Sequence, residues 1–428
     1  MPYLLFVLHL TAWLYLLRRL YLSSFKYIQL KFFLTLLAYK VMMGCLLGGL
    51  YFYYYEGGDT VAYYADIVRA FKLFYEDPAA FFNFFFGLEE AEKFIFAEQE
   101  RALFFVKLCS LISIFSLGNY WIISVSLSLL SFTAAWQLSL LLKRLMDWPF
   151  LLPLLALLIY PSVAFWSAGL LKESLSLTCI YGLVFISLRW YAAKPTKSLL
   201  FVWEVSAFLL LAFLLWQLKY YFAAVLLPLL LLILMLNGLF KLRKRGYKGF
   251  AWLLLVLIPV LPAAAFLLHP NLEPSYLLQA IVLNHDLTLA ASEAGDAILF
   301  ENLQPTVSSF LLHLPEALFS GLFRPLPWEA QNWLQLLAAL ENSLLLLISS
   351  FAFYHFLKSR NRPKDIILLL SCLIYVCSLA ALIALASPNF GSLIRYKVAY
   401  APFFALICLS AISSLIFRDN KSQSIKTA

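Results

Sequence analysis

Apolar runs long enough to cross a bilayer recur along the whole of this chain, and no other feature limits its fold as much. Phe222 to Phe240 and Ala251 to Leu268 are the clearest, each reaching the roughly 18 residues that mark a membrane helix. Hydrophobic residues make up 63% of the 428 and charged residues 13%, against about 25% charged in an average soluble chain. Water is the wrong solvent for such a surface. Pro2 to Leu17 has neither a basic segment before it nor a small-residue cleavage site after it, so it is expected to be a helix and not a signal peptide. The six cysteines lie in apolar stretches without CxxC or Cys/His spacing, which suits packing rather than metal binding or disulfides.

The net charge of +9 is distributed in a way that does not point to nucleic acid. The cations cluster in short loops: Arg18-Arg19 with Lys26 and Lys31, Lys143-Arg144, Lys194 with Lys197, Lys241 to Lys248, Lys358 to Lys364, and the tail from Arg418. By the positive-inside rule these loops are cytoplasmic. That choice predicts an all-α polytopic bundle of about eleven spans, near residues 3–17, 32–54, 120–142, 148–166, 174–190, 198–216, 221–240, 250–268, 333–357, 366–386 and 398–417. The C-terminus is then cytoplasmic. Ala102 to Leu117 is left on the outer surface or dipping into it. Two large acidic loops, 55–117 with its aromatics and 269–332, fall outside. No repeat and no linker divides the chain, so residues 1–428 read as one membrane domain.

Four outer segments carry candidate chemistry. Glu56-Gly57-Gly58-Asp59 follows a run of tyrosines and precedes Tyr63. Its glycines allow a sharp turn that holds two carboxylates together, fit for a general base or a divalent cation such as magnesium or manganese. The plainer reading makes Asp59 the N-cap of an amphipathic surface helix. Beyond it, phenylalanines and charges at helical spacing predict helices lying on the outer leaflet. In the second segment Pro161 and Gly169 bracket a reversal that places Lys172 and Glu173 near the outer interface. Lys172 could hold a phosphate there, or the pair could only fix topology. The third, Arg324-Pro325-Leu326-Pro327-Trp328-Glu329, is stiff and presents Arg324 and Glu329. The last outer loop carries Arg395 and Lys397 and no acid, where orientation asks for no cation; a guanidinium there suits a phosphate or diphosphate. Within the apolar runs, Lys40, Lys107, Glu204 and Glu341 need partners or water. The five histidines form no HExxH or triad-like grouping.

Taken in order, Gly57-Gly58-Asp59-Thr60 with Tyr63, Pro161-Ser162-x-x-Phe165-Trp166-Ser167-x-Gly169-x-x-Lys172-Glu173, Arg324-Pro325-x-Pro327-Trp328-Glu329 and Gly391-x-x-x-Arg395-Tyr396 resemble bacterial membrane proteins of polysaccharide biosynthesis, over about residues 55–415. Those proteins look like lipid-linked-sugar glycosyltransferases of the GT-C fold or the related glycan polymerases. The resemblance implies a bacterial inner-membrane enzyme with an acidic catalytic residue at the mouth of a helix in its first outer loop, matched here by Asp59. Glu56 and Asp59 stand where that family commonly has an adjacent acidic pair, and an extra helix precedes them. It further implies a polyprenyl-linked sugar donor steadied by Lys172, Arg324, Arg395 and Lys397, and a glycan or lipid acceptor deprotonated by Asp59. A lipid-linked glycan transporter or flippase is the alternative of another class, expected to show inverted repeats and broken helices.

Overall fold

The computed structural model describes residues 2–88, 92–192, 199–243, 274–358 and 366–416. Among them the protein is helical throughout, with one isolated bridge between Ala297 and Asn389 in place of a sheet. Among the described residues seven helices are long and apolar enough to cross a membrane, or eight if a bent pair counts as one span. The expected span at 250–268 lies outside the described residues. The chain forms two compact units, Met1–Arg189 with Lys194–Ala223, and Trp190–Ala193 with Ala224–Ala428.

The first unit opens with α1 (Pro2–Leu22) and α2 (Leu30–Gly49), which loosens into a π turn at Leu50–Tyr54. Then come α3 (Asp59–Glu76), α4 (Pro78–Phe86), α5 (Glu100–Phe115) and α6 (Tyr120–Met146). The expected span over 148–166 is in pieces: α7 (Leu151–Leu154), a π turn at Leu155–Ile159, and α8 (Pro161–Trp166), where Pro161 begins a new helix. Next is α9 (Lys172–Ala192). The expected spans 198–216 and 221–240 are two helical stretches that run on as α10 (Leu199–Arg243) across a kink at Lys219, with φ −148 and ψ 76, in the gap expected between them. The apolar stretch of α10, 39 residues, is about twice the roughly 20 that one crossing needs.

A broken helix frees backbone carbonyls, and hydrocarbon offers them no water. Side chains supply the donors instead. The Tyr39 and Tyr181 hydroxyls donate to Ile159 and Leu157 carbonyls, each at 3.0 Å. Lys40, buried in α2, donates to the Ala164 and Ser167 carbonyls at 3.0 Å and to Ser167 Oγ at 2.7 Å. Small residues let α2 and α6 approach closely: Ser124 Oγ donates to the Gly44 carbonyl, and the Gly169 N–H donates to Ser128 Oγ at 3.0 Å. The segment expected to lie on or dip into the outer surface is α5, which packs against α1, α3 and α6.

The second unit holds α11 (Pro274–Ala290), α12 (Val307–Phe323), α13 (Trp333–Lys358), α14 (Ile366–Ala386), α15 (Phe390–Tyr396) and α16 (Ala401–Ile416). The expected span at 398–417 is α16, which the 3-10 turn Lys397–Ala399 joins to α15 at a 63° bend. Helix α12 lies directly on α14, because Gly321 faces the Ala380 backbone with no room for a Cβ. The 269–332 loop is tied to the last outer loop: the Ile298 N–H donates to Pro388 O (2.9 Å), the Phe390 N–H to Asp296 O (3.0 Å), and Asn389 Nδ2 to Asp296 Oδ2 (2.8 Å).

Candidate functional site

In the first unit the acidic turn is built by the end of α2. The Tyr55 and Gly57 N–H groups donate back to Leu50 and Tyr51 carbonyls at 3.0 and 3.1 Å. Glu56 (φ 51) and Gly58 (φ 92) then take left-handed conformations that reverse the chain. Gly58 is the cap, so Asp59 is the first residue inside α3 and not its N-cap; there the positive end of the helix dipole favours a carboxylate. Glu56 is exposed and Asp59 half-buried.

One turn further in, α3 meets the Lys-Glu motif. Thr60 Oγ1 donates to the Leu170 carbonyl at 2.8 Å, across 110 residues of sequence. Tyr63 is buried against Phe96 and Phe105, with ring centroids 4.8 and 5.0 Å away. The Lys172 ammonium stands 5.7 Å from the centre of the Tyr63 ring, within cation–π range. Gly169 (φ +69) makes this possible, since a Cβ there would lie 2.8 Å from Leu47 Cδ2 and 3.3 Å from the Gly44 carbonyl oxygen. Glu173 points the other way, fully buried, and pairs with Lys219 at 2.9 Å.

The second unit separates its cations by role. Arg324 Nε donates to Glu329 Oε1 at 2.7 Å, Nη2 reaches the same oxygen, and Glu329 Oε2 accepts the Leu326 N–H at 2.8 Å. The two predicted ligands of substrate therefore close their own turn. Lys397 is buried, with its three donors on the Leu322 carbonyl (3.3 Å), the Arg324 carbonyl (2.7 Å) and Asn342 Oδ1 (3.1 Å). Asn342 Nδ2 in turn donates to the Pro325 carbonyl at 3.0 Å. An ammonium so engaged has no donor left for a phosphate. Arg395 is half-buried, its guanidinium 5.6 Å from the centre of the Tyr396 ring.

The charges noted inside the apolar runs have partners too. Glu204 pairs with Arg189 at 2.7 Å, Lys107 stands 5.0 Å from the Phe84 ring centre, and Glu341 acts electrostatically on Lys397. Lys219 escaped the sequence reading although it lies between two apolar runs on the side where orientation asks for no cation, the criterion that singles out Lys172. Asp66 escaped as well: it is buried and accepts the Ile95 and Phe96 N–H groups at 2.9 and 3.1 Å. Nothing in its spacing reveals that. Among the described residues no group of three or more His, Cys, Asp or Glu side chains could hold a metal ion, so the Glu56/Asp59 pair gains no third carboxylate.

These features define a multi-pass helical membrane protein with paired and half-buried charges gathered at helix ends and breaks. Comparison with models of known families, with characterised proteins and with solved structures returns no match.

Proposed function

We propose that the chain is a GT-C-like membrane glycosyltransferase that moves a sugar from a polyprenyl phosphate or diphosphate to a glycan or lipid acceptor at the outer face of the bacterial inner membrane. The observation that carries this reading is the meeting of the acidic turn with the Lys172 motif through Thr60–Leu170 and Lys172–Tyr63. In the proposed step Asp59 takes the proton of the acceptor hydroxyl, whose oxygen attacks the anomeric carbon. The bond from that carbon to the donor phosphate oxygen breaks, and the phosphate leaves with the electron pair, stabilised by Lys172. Glu56 is the second carboxylate of the turn. Glu173, Arg324, Glu329 and Lys397 act as positioning residues, because Glu173 is spent on Lys219, Arg324 and Glu329 on each other, and Lys397 on backbone carbonyls and Asn342.

The contacts support the orientation. Lys172–Tyr63, Glu173–Lys219 and Asn389–Asp296 each join two segments assigned to the outside. Lys143 over the Tyr27 ring at 4.0 Å, Arg144 on the Ser23 carbonyl and Arg189–Glu204 each join two assigned to the inside. The same chemistry serves a repeat-unit polymerase, in which the transferred group is a lipid-linked glycan in place of one sugar.

One observation favours a transporter or flippase instead: the breaks at Leu155–Ile159, Lys219 and Lys397–Ala399, since broken helices line transport sites. Mutants separate the readings. Asp59→Asn and Arg395→Ala should each abolish glycan product while the protein stays inserted and abundant; near-normal product from both would defeat the enzyme reading.

A further inference from the structure

In the first unit, α5 and the stretch of α10 before its break meet along an exposed aromatic face with a cationic end. Arg101 and Phe104 lie one turn apart on α5 and so share a face. Phe104 packs edge-on against Phe213 at 6.0 Å. The Arg101 guanidinium sits 4.1 Å from the centre of the Tyr220 ring, and Nη1 donates to the Trp216 carbonyl at 3.2 Å. Along α10, Leu209, Phe213 and Trp216 follow at intervals of four and three, forming one stripe that is 62%, 52% and 42% exposed. Three residues past Trp216 the helix breaks at Lys219, whose ammonium is held by Glu173.

An exposed apolar stripe on a membrane helix needs no ligand to explain it. The charge at its end does. Arg101 is exposed, no carboxylate among the described residues pairs with it, and the Trp216 carbonyl engages one of its five N–H donors. The buried Lys219–Glu173 pair beside it is neutral as a unit. A long apolar stripe that ends under a guanidinium is complementary to an amphiphile with one hydrocarbon tail and a small anionic head.

We propose that this face seats the lipid substrate before transfer, with the prenyl tail along Phe104, Leu209, Phe213 and Trp216 and the phosphate or diphosphate head on Arg101 at the break of α10, from which the head passes to Lys172. Glu173 tunes the site by cancelling the charge of Lys219. The inference rests on the lipid-phosphate part of the preceding reading and is independent of sugar transfer.

The test is equilibrium binding to the full chain in phosphatidylcholine nanodiscs, with farnesyl diphosphate, farnesol and inorganic pyrophosphate as separate probes and thermal unfolding followed in parallel. Farnesyl diphosphate should bind at least about tenfold more tightly than either other probe, and Arg101→Gln should remove about that factor. Phe213→Ala should weaken farnesyl diphosphate and leave pyrophosphate unchanged. Glu173→Gln should tighten binding, because it leaves the break one charge more positive; weaker binding in step with a lower melting temperature would mark a purely structural pair and overturn its tuning role. Because Arg101 is exposed, its variant should fold and decides the placement alone. Wild-type binding that Arg101→Gln leaves unaltered overturns the placement and spares the lipid-donor reading, whereas no wild-type preference for farnesyl diphosphate overturns both.

Discussion

Lys40 and Lys397 solve the same problem in different units. Each ends buried, with its ammonium on carbonyls freed where a helix stops: α8 for Lys40, α12 for Lys397. A cation at a helix C-terminus is favoured by the dipole, and in hydrocarbon it also replaces the water those carbonyls lack. Burying the charge costs energy, but removing it leaves several acceptors orphaned at about 1–3 kcal/mol each. Lys40→Met should therefore lower stability by roughly 2 kcal/mol or more, read as an earlier thermal transition in detergent. Arg324 and Glu329 make a different prediction. Because each is the other's partner, Arg324→Ala and Glu329→Ala should each destabilise, and the double variant should cost little more than either, a coupling of about 1–3 kcal/mol. A double-mutant cycle on unfolding measures it.

Helix breaks decide where the candidate chemistry sits. Glu56 and Gly58 turn the chain after α2, Gly169 turns it before α9, and Lys219 interrupts α10. Gly169→Ala should cost about 1–2 kcal/mol for its left-handed backbone alone, plus the push against Leu47 and Gly44. Gly49→Ala is the control: a Cβ there meets nothing within 4 Å, and alanine is favoured in a helix by roughly 0.5–1 kcal/mol. Melting temperatures of the two variants should move in opposite directions. The first two turns were legible in the sequence because glycine marks them. The break at Lys219 was legible only as a gap between apolar runs, because a lysine in an extended conformation carries no turn signature. The partners of Lys40 were hidden for a related reason: backbone carbonyls exist at every position, and spacing cannot say which are freed.

For the molecule as a whole, hydropathy was enough to foresee a helical membrane protein, and the sidedness expected from loop charge is open to test. Single-cysteine variants test that sidedness directly. A reagent that cannot cross the membrane should label Glu56→Cys in intact cells and reach Asp147→Cys only after permeabilisation. The pairing of Arg324 with Glu329 and the burial of Lys397 were not foreseeable, since a sequence records where a cation lies between apolar runs and not what neutralises it. The central claim is that the protein transfers a sugar from a lipid phosphate by means of Asp59. Its most direct measurement follows a labelled polyprenyl-diphosphate sugar in proteoliposomes supplied with acceptor, comparing wild type with Asp59→Asn. The account predicts label on the acceptor in the wild type and none in the variant; label that crosses the bilayer still attached to its lipid, alike in both proteins, would contradict it.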